Sequence, residues 1–365
     1  MEEKTMQEPI YYAKEAVDMM MRKFAAADLP PKGQFHYHQG VFLSGVYQTY
    51  LLCKEEKYIQ YIKDWVDAMM DEHGNIYKYD KGQMDDIQPG ILLYPLYRIY
   101  GEEKYKNALK ELLAVMKAYP TNKEGGFWHK EEFADQMWLD GLYMGGPICA
   151  EYAKTFDAPE FFDLVTKQVC LMEEKTKDGK TGLFYHAYDS RKEAEWADKE
   201  TGCSKEFWGR SLGWVPVAIL DDLDFLPKEH EGYEELCRIV TELLKAICNY
   251  QSEEGRWYQV VDKGGEPGNW LENSCTCLFV AAICKAVQKG ILEEEYLENA
   301  KKAYAAVIRS LTWQGEDIQI GNICIGTAVG DYAYYCEREK CTNDLHGVGA
   351  FLLMCAQLQR IQERK

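Results

Sequence analysis

The connections between helices constrain this chain more than the helices do. Apolar residues recur at helical spacing along nearly the whole length. They mark about twelve segments, at roughly 8–26, 39–54, 57–71, 87–101, 103–118, 138–155, 159–175, 208–224, 231–252, 271–288, 294–311 and 344–362. After the first pair, the links between them alternate in length. Short links lie near 55, 102, 157, 228 and 291, and long ones span about 72–86, 119–137, 176–207, 253–270 and 312–343. The long links carry glycine-rich or β-like text such as GNIYKYD, GGFWHK, TGLFYHAYD, GRWYQVVD and GNICIGTAVG. Gly101 and Gly290 follow helix ends, where glycine accepts the left-handed conformation, and Asp157-Ala158-Pro159 reads as a turn leading into a new helix. The rhythm repeats about every 60 residues, with weak identity between repeats. A plain solenoid of helix pairs would show stronger repeat identity and more even loops. The pattern therefore predicts an all-α fold of the (α/α)6-barrel type, six helical hairpins closed into a toroid. No low-complexity linker interrupts it, so a single domain over 1–365 is expected.

The alternation gathers the short links at one end and the long links at the other. The chemically unusual residues then fall into register. Tyr37 and His38 precede the second helix, Asp85 and Asp86 the fourth. Trp138 and Asp140 open the sixth, and Trp208, Arg210 and Trp214 the eighth. Trp270 and Glu272 open the tenth, and Asp344 and His346 the twelfth. All six clusters sit at N-terminal ends of even-numbered helices. If those are the inner helices, the clusters face one mouth, where unpaired N–H groups and positive dipole ends favour an anion. Tryptophan and tyrosine offer stacking faces for a sugar ring, and Arg210 suits a carboxylate. Each residue also has a plainer use. An Asp at a helix start is a good N-cap, Trp138 and Trp214 suit a core, Arg210 suits a structural ion pair, and Glu272 reads as structural. The joint arrangement favours a site.

A net charge of −18 argues against nucleic acid, which needs a basic face, and against a polyanionic polymer. It leaves room for a small acid in a locally basic pocket. The opening MEEKTMQEPI lacks the character of a signal peptide, and no apolar run approaches a membrane span. The 13 cysteines are scattered through apolar helical text, which fits reduced core residues in the cytoplasm. Cys275 and Cys277, two apart at a helix start, point to different sides and do not suggest a metal site.

The run Gly125-Gly126-Phe127-Trp128-His129-Lys130, followed by Gln136-Met137-Trp138-Leu139-Asp140-Gly141-Leu142-Tyr143-Met144, resembles the signature of the unsaturated rhamnogalacturonyl hydrolases, glycoside hydrolase family 105. Further matches are YHQGVFLSG at 37–45, MDDIQPG at 84–90, TGLFYHAYD at 181–189, GCSKEFWGRSLGW at 202–214 and NDLHGVGAF at 343–351. The resemblance runs in order along essentially the whole chain and is strongest to the intracellular bacterial enzymes. It implies an (α/α)6 barrel, as the helix count does. It also implies Asp140 as general acid/base, Asp85 as the second important aspartate, and substrate contacts at Tyr37, His129, Trp138, His186, Arg210 and Trp214. Asp86 falls where no acid is required, so a solvated or capping role is expected.

The implied reaction differs from that of a two-carboxylate glycosidase. The substrate is a small oligosaccharide whose terminal uronic acid carries a C4=C5 double bond. Asp140 protonates C4 and assists water at C5, and the hydrated sugar opens and releases its neighbour. Asp85, ionised, is expected to raise the pKa of Asp140. No metal or organic cofactor is required, and no nucleic acid or membrane partner is expected. The protein would be a monomer or weak homo-oligomer. The alternatives are a glucuronyl hydrolase of related type, a conventional inverting glycosidase using Asp85 and Asp140, and a non-catalytic carbohydrate-binding toroid.

Overall fold

A computed structural model describes residues 7–364. Twelve long segments fold as helices near the expected positions. They are α1 (Pro9–Lys23), α2 (Tyr37–Cys53), α3 (Glu56–Ala68), α4 (Leu93–Tyr100), α5 (Glu103–Lys117) and α6 (Asp140–Phe156). The chain continues through α7 (Glu160–Thr176), α8 (Gly209–Asp222), α9 (Tyr233–Cys248), α10 (Asn273–Gln288) and α11 (Leu297–Ser310). A five-residue helix, α12 (Tyr332–Cys336), lies inside the last long link, and α13 (Leu345–Glu363) ends the fold. Four two-stranded pairs decorate the long links.

The helices sort into two rings for a reason visible in their residues. α9 buries Leu236, Ile239, Val240, Leu243, Leu244 and Ile247, one stripe at helical spacing, and leaves its other face to water. α13 instead buries the unbroken run Leu345–Ala356. A helix that is apolar all round must have neighbours on all sides. α2, α4, α6, α8, α10 and α13 accordingly form the inner ring, each packed on the next, with α13 closing on α2. At α4 the 3-10 turn that precedes it, Gln88–Leu92, makes the contact with both α2 and α6. α1, α3, α5, α7, α9 and α11 pack outside them. Where α2 meets α13, Gly349 allows close approach, because a Cβ there would lie 2.6 Å from the Val41 backbone. The result is a helical toroid of the (α/α)6 type.

The short links turn tightly, with Gly101 at φ 67° and Gly290 at φ 70°. The long links are stitched to one another around the opposite end. Phe35 N–H donates to the Lys78 carbonyl, and Gln83 bridges Lys130. β1 (Gln136–Trp138) pairs antiparallel with β2 (Ala187–Asp189). Val261 N–H donates to the Phe207 carbonyl, and Trp270 Nε1–H to that of Cys336. The five predicted long links and the 24–36 link thus share one end.

Three local expectations change. The fourth helix starts later than expected. Pro89 and Pro95 remove backbone donors there, and residues 84–92 fold as two 3-10 turns. Trp138 lies in β1, two residues ahead of α6, rather than in the helix. The last long link holds the hairpin β3 (Thr312–Gln314) with β4 (Asp317–Gln319), besides α12. Among the described residues, all 13 cysteines are free, and no helix is long and apolar enough to cross a membrane.

Candidate active site

The N-terminal ends of α2, α6 and α8 and the turns before α4 open into a cavity of about 380 Å³; the clusters that open α10 and α13, Trp270 with Glu272 and Asp344 with His346, do not line it. Tyr37 and His38 enter it from the first turn of α2, and Asp85 from the 3-10 turn Met84–Asp86. His129, Lys130 and Phe133 enter from the link before β1, Trp138 from β1, and Asp140 from the first turn of α6. Trp208 and Arg210 come from the start of α8, and Thr327 and Tyr334 from the last long link.

Three rings stack as a wall. Trp138 lies between His129, at 4.4 Å and 12°, and Phe133, at 5.0 Å and 16°. Trp138 Nε1–H donates to Gln136 Oε1 at 3.1 Å, which fixes the indole. Asp85 lines the cavity beside this wall, 3.1 Å from Lys130 Nζ and 3.7 Å from His129 Nε2. Burial works against a charge on Asp85, but His129, Lys130 and His36 outweigh it and hold its pKa below the ordinary carboxylate range. His129 itself is buried, which pushes its pKa down despite Asp85 nearby.

Asp140 accepts a hydrogen bond at Oδ2 from His186 Nε2, 3.2 Å away. Burial raises its pKa, but the hydrogen bond from His186, with Arg210 beyond it, lowers it more. In the empty cavity Asp140 is therefore an ionised base. This corrects the expectation that Asp85 raises its pKa. The nearer groups are donors and cations, and they decide the sign.

Arg210 is buried and lies over the Trp208 ring at 4.5 Å. Its guanidinium donates to the carbonyls of Cys324 at 2.5 Å and Ile325 at 2.8 Å. It thus anchors the last long link as well as charging the cavity. Burial raises the Tyr37 phenol well above its usual pKa, so it remains a protonated donor.

Not every predicted residue reaches the cavity: His186 is fully buried and does not line it, so in place of the expected substrate contact it meets Asp140. Trp214, one turn beyond Arg210, is buried in the core and stacks on Tyr143 at 4.6 Å. It does not line this cavity, which corrects its assignment as a substrate contact. Asp86 is not solvated. It is buried, takes the Asp80 N–H at 2.7 Å and lies 2.6 Å from His36 Nδ1, so it braces the loop that carries Asp85. Glu272 caps α10 through the Ser274 and Cys275 N–H groups and also accepts from Cys324 N–H. That is the structural role its position suggested.

Tyr335, to which the sequence assigns no role, places its hydroxyl 2.7 Å from His186 Nδ1. The run DYAYYC is its only trace in the sequence, and nothing in that run points to His186. His38, Asp344 and His346 each offer a ligand atom, all within 4.8 Å of one another. One ion bonded to three such atoms at about 2.1 Å would hold them no more than roughly 4.2 Å apart. His346 Nε2–H already donates to the Cys324 carbonyl, and its Nδ1 lies 2.6 Å from Asp344 Oδ1, which is ion-pair geometry. His38 is pushed down to about 3 by burial and by His346, so it stays neutral.

The arrangement places a carboxylate base, a second carboxylate, a stacking wall and cationic groups around one hollow. The family model of Glycosyl Hydrolase Family 88 matches residues 12–362. A glycoside hydrolase of family 105 from C. acetobutylicum ATCC 824 superposes with a TM-score of 0.91 at 34% identity, covering 96% of this chain and 99% of that one. The unsaturated rhamnogalacturonyl hydrolase YesR of Bacillus subtilis (strain 168) is 24% identical over 296 residues, 80% of this chain and 79% of YesR. An unsaturated glucuronyl hydrolase from Bacillus sp. GL1, described as responsible for the degradation of glycosaminoglycan, shares the fold at 15% identity. Its TM-score is 0.72 over 97% of each chain. With a family model spanning nearly its whole length and a family-105 structure matching it end to end, the chain belongs to the glycoside hydrolases of families 88 and 105.

Proposed function

We propose that this enzyme removes an unsaturated galacturonyl residue from the non-reducing end of rhamnogalacturonan-derived oligosaccharides, by hydrating the C4=C5 bond at Asp140. The observation that carries the reading is the Asp140 carboxylate, held on the cavity wall by His186 beside the Trp138 ring. The rhamnogalacturonyl preference rests on the likeness to YesR. The whole chain acts as a single catalytic domain, and its free cysteines suit the cytoplasm.

The uronate enters as an anion, toward helix N-termini and Arg210, and its ring stacks on the aromatic wall. A second negative charge beside Asp140 raises its pKa, so the bound complex takes up the proton that the empty cavity disfavours. Asp140 delivers that proton to C4, and positive charge develops on C5 and the ring oxygen. The resulting carboxylate accepts a proton from water as the water oxygen bonds to C5. The hemiketal then opens by cleavage of the bond between C5 and the ring oxygen. That leaves a ketone at C5 and a hemiacetal at C1, which expels the neighbouring sugar as an alcohol. One water is consumed and Asp140 ends as it began, with no step that calls for a metal or organic cofactor. Asp85, Lys130, His129 and Tyr37 supply the surrounding charge and hydrogen bonds.

The test is turnover of an unsaturated galacturonyl–rhamnose disaccharide in deuterated water, beside an unsaturated glucuronyl disaccharide; the double bond abolishes the C4 stereocentre, so the unsaturated ring is the same in both and they differ in anomeric linkage and neighbouring sugar. We expect loss of the double-bond absorbance, deuterium at C4 of the released keto sugar, and preference for the galacturonyl substrate. Preference for the glucuronyl substrate would move the assignment to that class. Release of a sugar that keeps its double bond would overturn hydration in favour of ordinary glycoside cleavage.

A further inference from the structure

We infer that Tyr335 is a positioning residue that locks His186 in the tautomer carrying hydrogen on Nε2, and through it aims a hydrogen bond at the general acid/base Asp140. The inference rests on the function proposed above, and it adds a residue from a part of the chain where no role was expected.

His186 is fully buried, so neither ring nitrogen meets water. Nε2 lies 3.2 Å from Asp140 Oδ2, and Nδ1 lies 2.7 Å from the Tyr335 hydroxyl. A neutral imidazole has one donor and one acceptor, and its partners decide which nitrogen is which. The Tyr335 hydroxyl already accepts the Gly330 N–H, at 3.1 Å. Burial holds the Tyr335 phenol far above its usual pKa, so it keeps its proton. That proton has His186 Nδ1 as its nearby acceptor. Nδ1 is therefore the lone-pair nitrogen, and Nε2 carries the hydrogen that faces Asp140. The order runs from Gly330 N–H to Tyr335 O–H, to His186 N–H, to the Asp140 carboxylate.

Tyr335 is itself held firmly. Its ring lies parallel to Trp208 at 5.8 Å and 13°, and its carbonyl accepts from Gln259 Nε2 at 3.1 Å. The short helix α12 that carries it is capped by the Asp331 side chain, which accepts the Tyr334 N–H at 2.9 Å. Trp208 in turn lies beneath Arg210. One stack of rings therefore ties the last long link to both the cation and the acid/base of the cavity.

Without the Tyr335 proton, His186 Nδ1 faces a dry pocket as an unpaired acceptor. While Asp140 is ionised it still holds the hydrogen on Nε2, but once Asp140 is protonated nothing keeps the hydrogen off Nδ1, and the imidazole can turn a lone pair toward the acid. A lone pair facing a carboxylate favours the protonated acid. Tyr335→Phe keeps the ring and removes only the hydroxyl. In this variant we expect kcat to fall on the order of tenfold, a fraction of the 100- to 10,000-fold that a lost acid/base costs. KM should stay within about twofold. The limb of the kcat profile governed by Asp140 should move to higher pH by roughly one unit. A merely packed tyrosine would not move that limb.

The deciding measurement needs no substrate. In protein labelled with [15N]histidine, the His186 ring, identified by the signal lost in His186→Gln, should show a neutral pattern with hydrogen on Nε2. In Tyr335→Phe the Nδ1 resonance should move to that of an acceptor without a hydrogen bond. Hydrogen on Nδ1 in the parent protein would overturn the inference. So would a Tyr335→Phe variant with an unchanged Nδ1 resonance and pH profile. Because the parent's tautomer is read without turnover or mutation, this test stands apart from any failure of the proposed reaction or of the variant's folding.

Discussion

Two hollows share the axis of the ring, and the larger is the less suited to the chemistry. The cavity at the long-link end measures about 380 Å³, and the one at the short-link end about 670 Å³. Met144, one turn below Asp140, borders both. The short-link hollow receives the C-terminal halves of the inner helices, whose dipoles end negative. Arg98, Lys285, Lys289 and Arg360 gather there, as expected of side chains that compensate helix C-termini. Three of these charges are spent locally, and Arg360 donates to Gln48 Oε1 at 2.6 Å. Arg98 pairs with Glu151, Lys285 with Asp221 at 2.5 Å, and Lys289 with Asp224 at 2.6 Å. The long-link hollow has the opposite dipole sign, an aromatic wall, and two carboxylates held ionised by their neighbours. Perturbed acidity does not separate the two either. Burial lifts Glu151 to about 7 against the pull of Arg98, so a group titrating near neutrality sits at the end without the chemistry. Dipole direction and the mix of side chains identify the site. Volume and pKa alone do not.

Substitutions that differ little in shape test that contrast. The largest effect is expected from Asp140→Asn, which cannot donate the proton to C4 or accept one from water. Turnover should fall by about 100- to 10,000-fold. The thermal unfolding midpoint should stay near the parent's and the unsaturated disaccharide should still bind, and a collapse of stability would reassign Asp140 to a structural role. Asp85→Asn should have a smaller effect, on the order of 10- to 100-fold, because Asp85 shapes the field around the reaction without carrying its proton. If Asp85→Asn proved as damaging as Asp140→Asn, the one-carboxylate reading would give way to a paired mechanism.

The ring was legible because it depends on short-range patterns. Alternating links and stripes of apolar residues are visible within a few dozen residues, and the cluster at each inner-helix start follows from them. Tyr37, Asp85, His129, Trp138, Asp140 and Arg210 reach the same cavity on that basis. The failures concern contacts between distant parts of the chain. Tyr335 meets His186 across 149 residues, through a five-residue helix with no repeat of its own. Trp214 was grouped with Arg210 by proximity in sequence, but one further turn of α8 carries it to Tyr143 on the neighbouring inner helix. The sign of the Asp140 shift depended on His186 and Arg210, which the sequence could place at one mouth but not at a distance. Asp86 looked redundant beside Asp85. Its burial depends on His36, brought to it from the start of α2.

The smallest expected effect sharpens the contrast from the other end. Glu151→Gln, in the larger hollow, should leave turnover within about twofold, since no charge there faces the proposed substrate. Its mark should appear in stability against pH. The ordinary value for Glu151 is 4.5, and in the folded protein it is about 7. Between those values the folded chain holds a proton that the unfolded chain has released. The stabilisation is therefore fully present below 4.5 and is lost as pH rises through 7. Glutamine imitates the protonated side chain but cannot titrate. The unfolding midpoint of Glu151→Gln, measured relative to the parent, should rise between pH 5 and pH 8. The change should be no more than a few degrees, because Arg98 is partly exposed and water screens the pair. A difference that stays flat across that range would show that Glu151 ionises without cost. A large loss of turnover would show that the two hollows are coupled through Met144, and the separation drawn between them would fail.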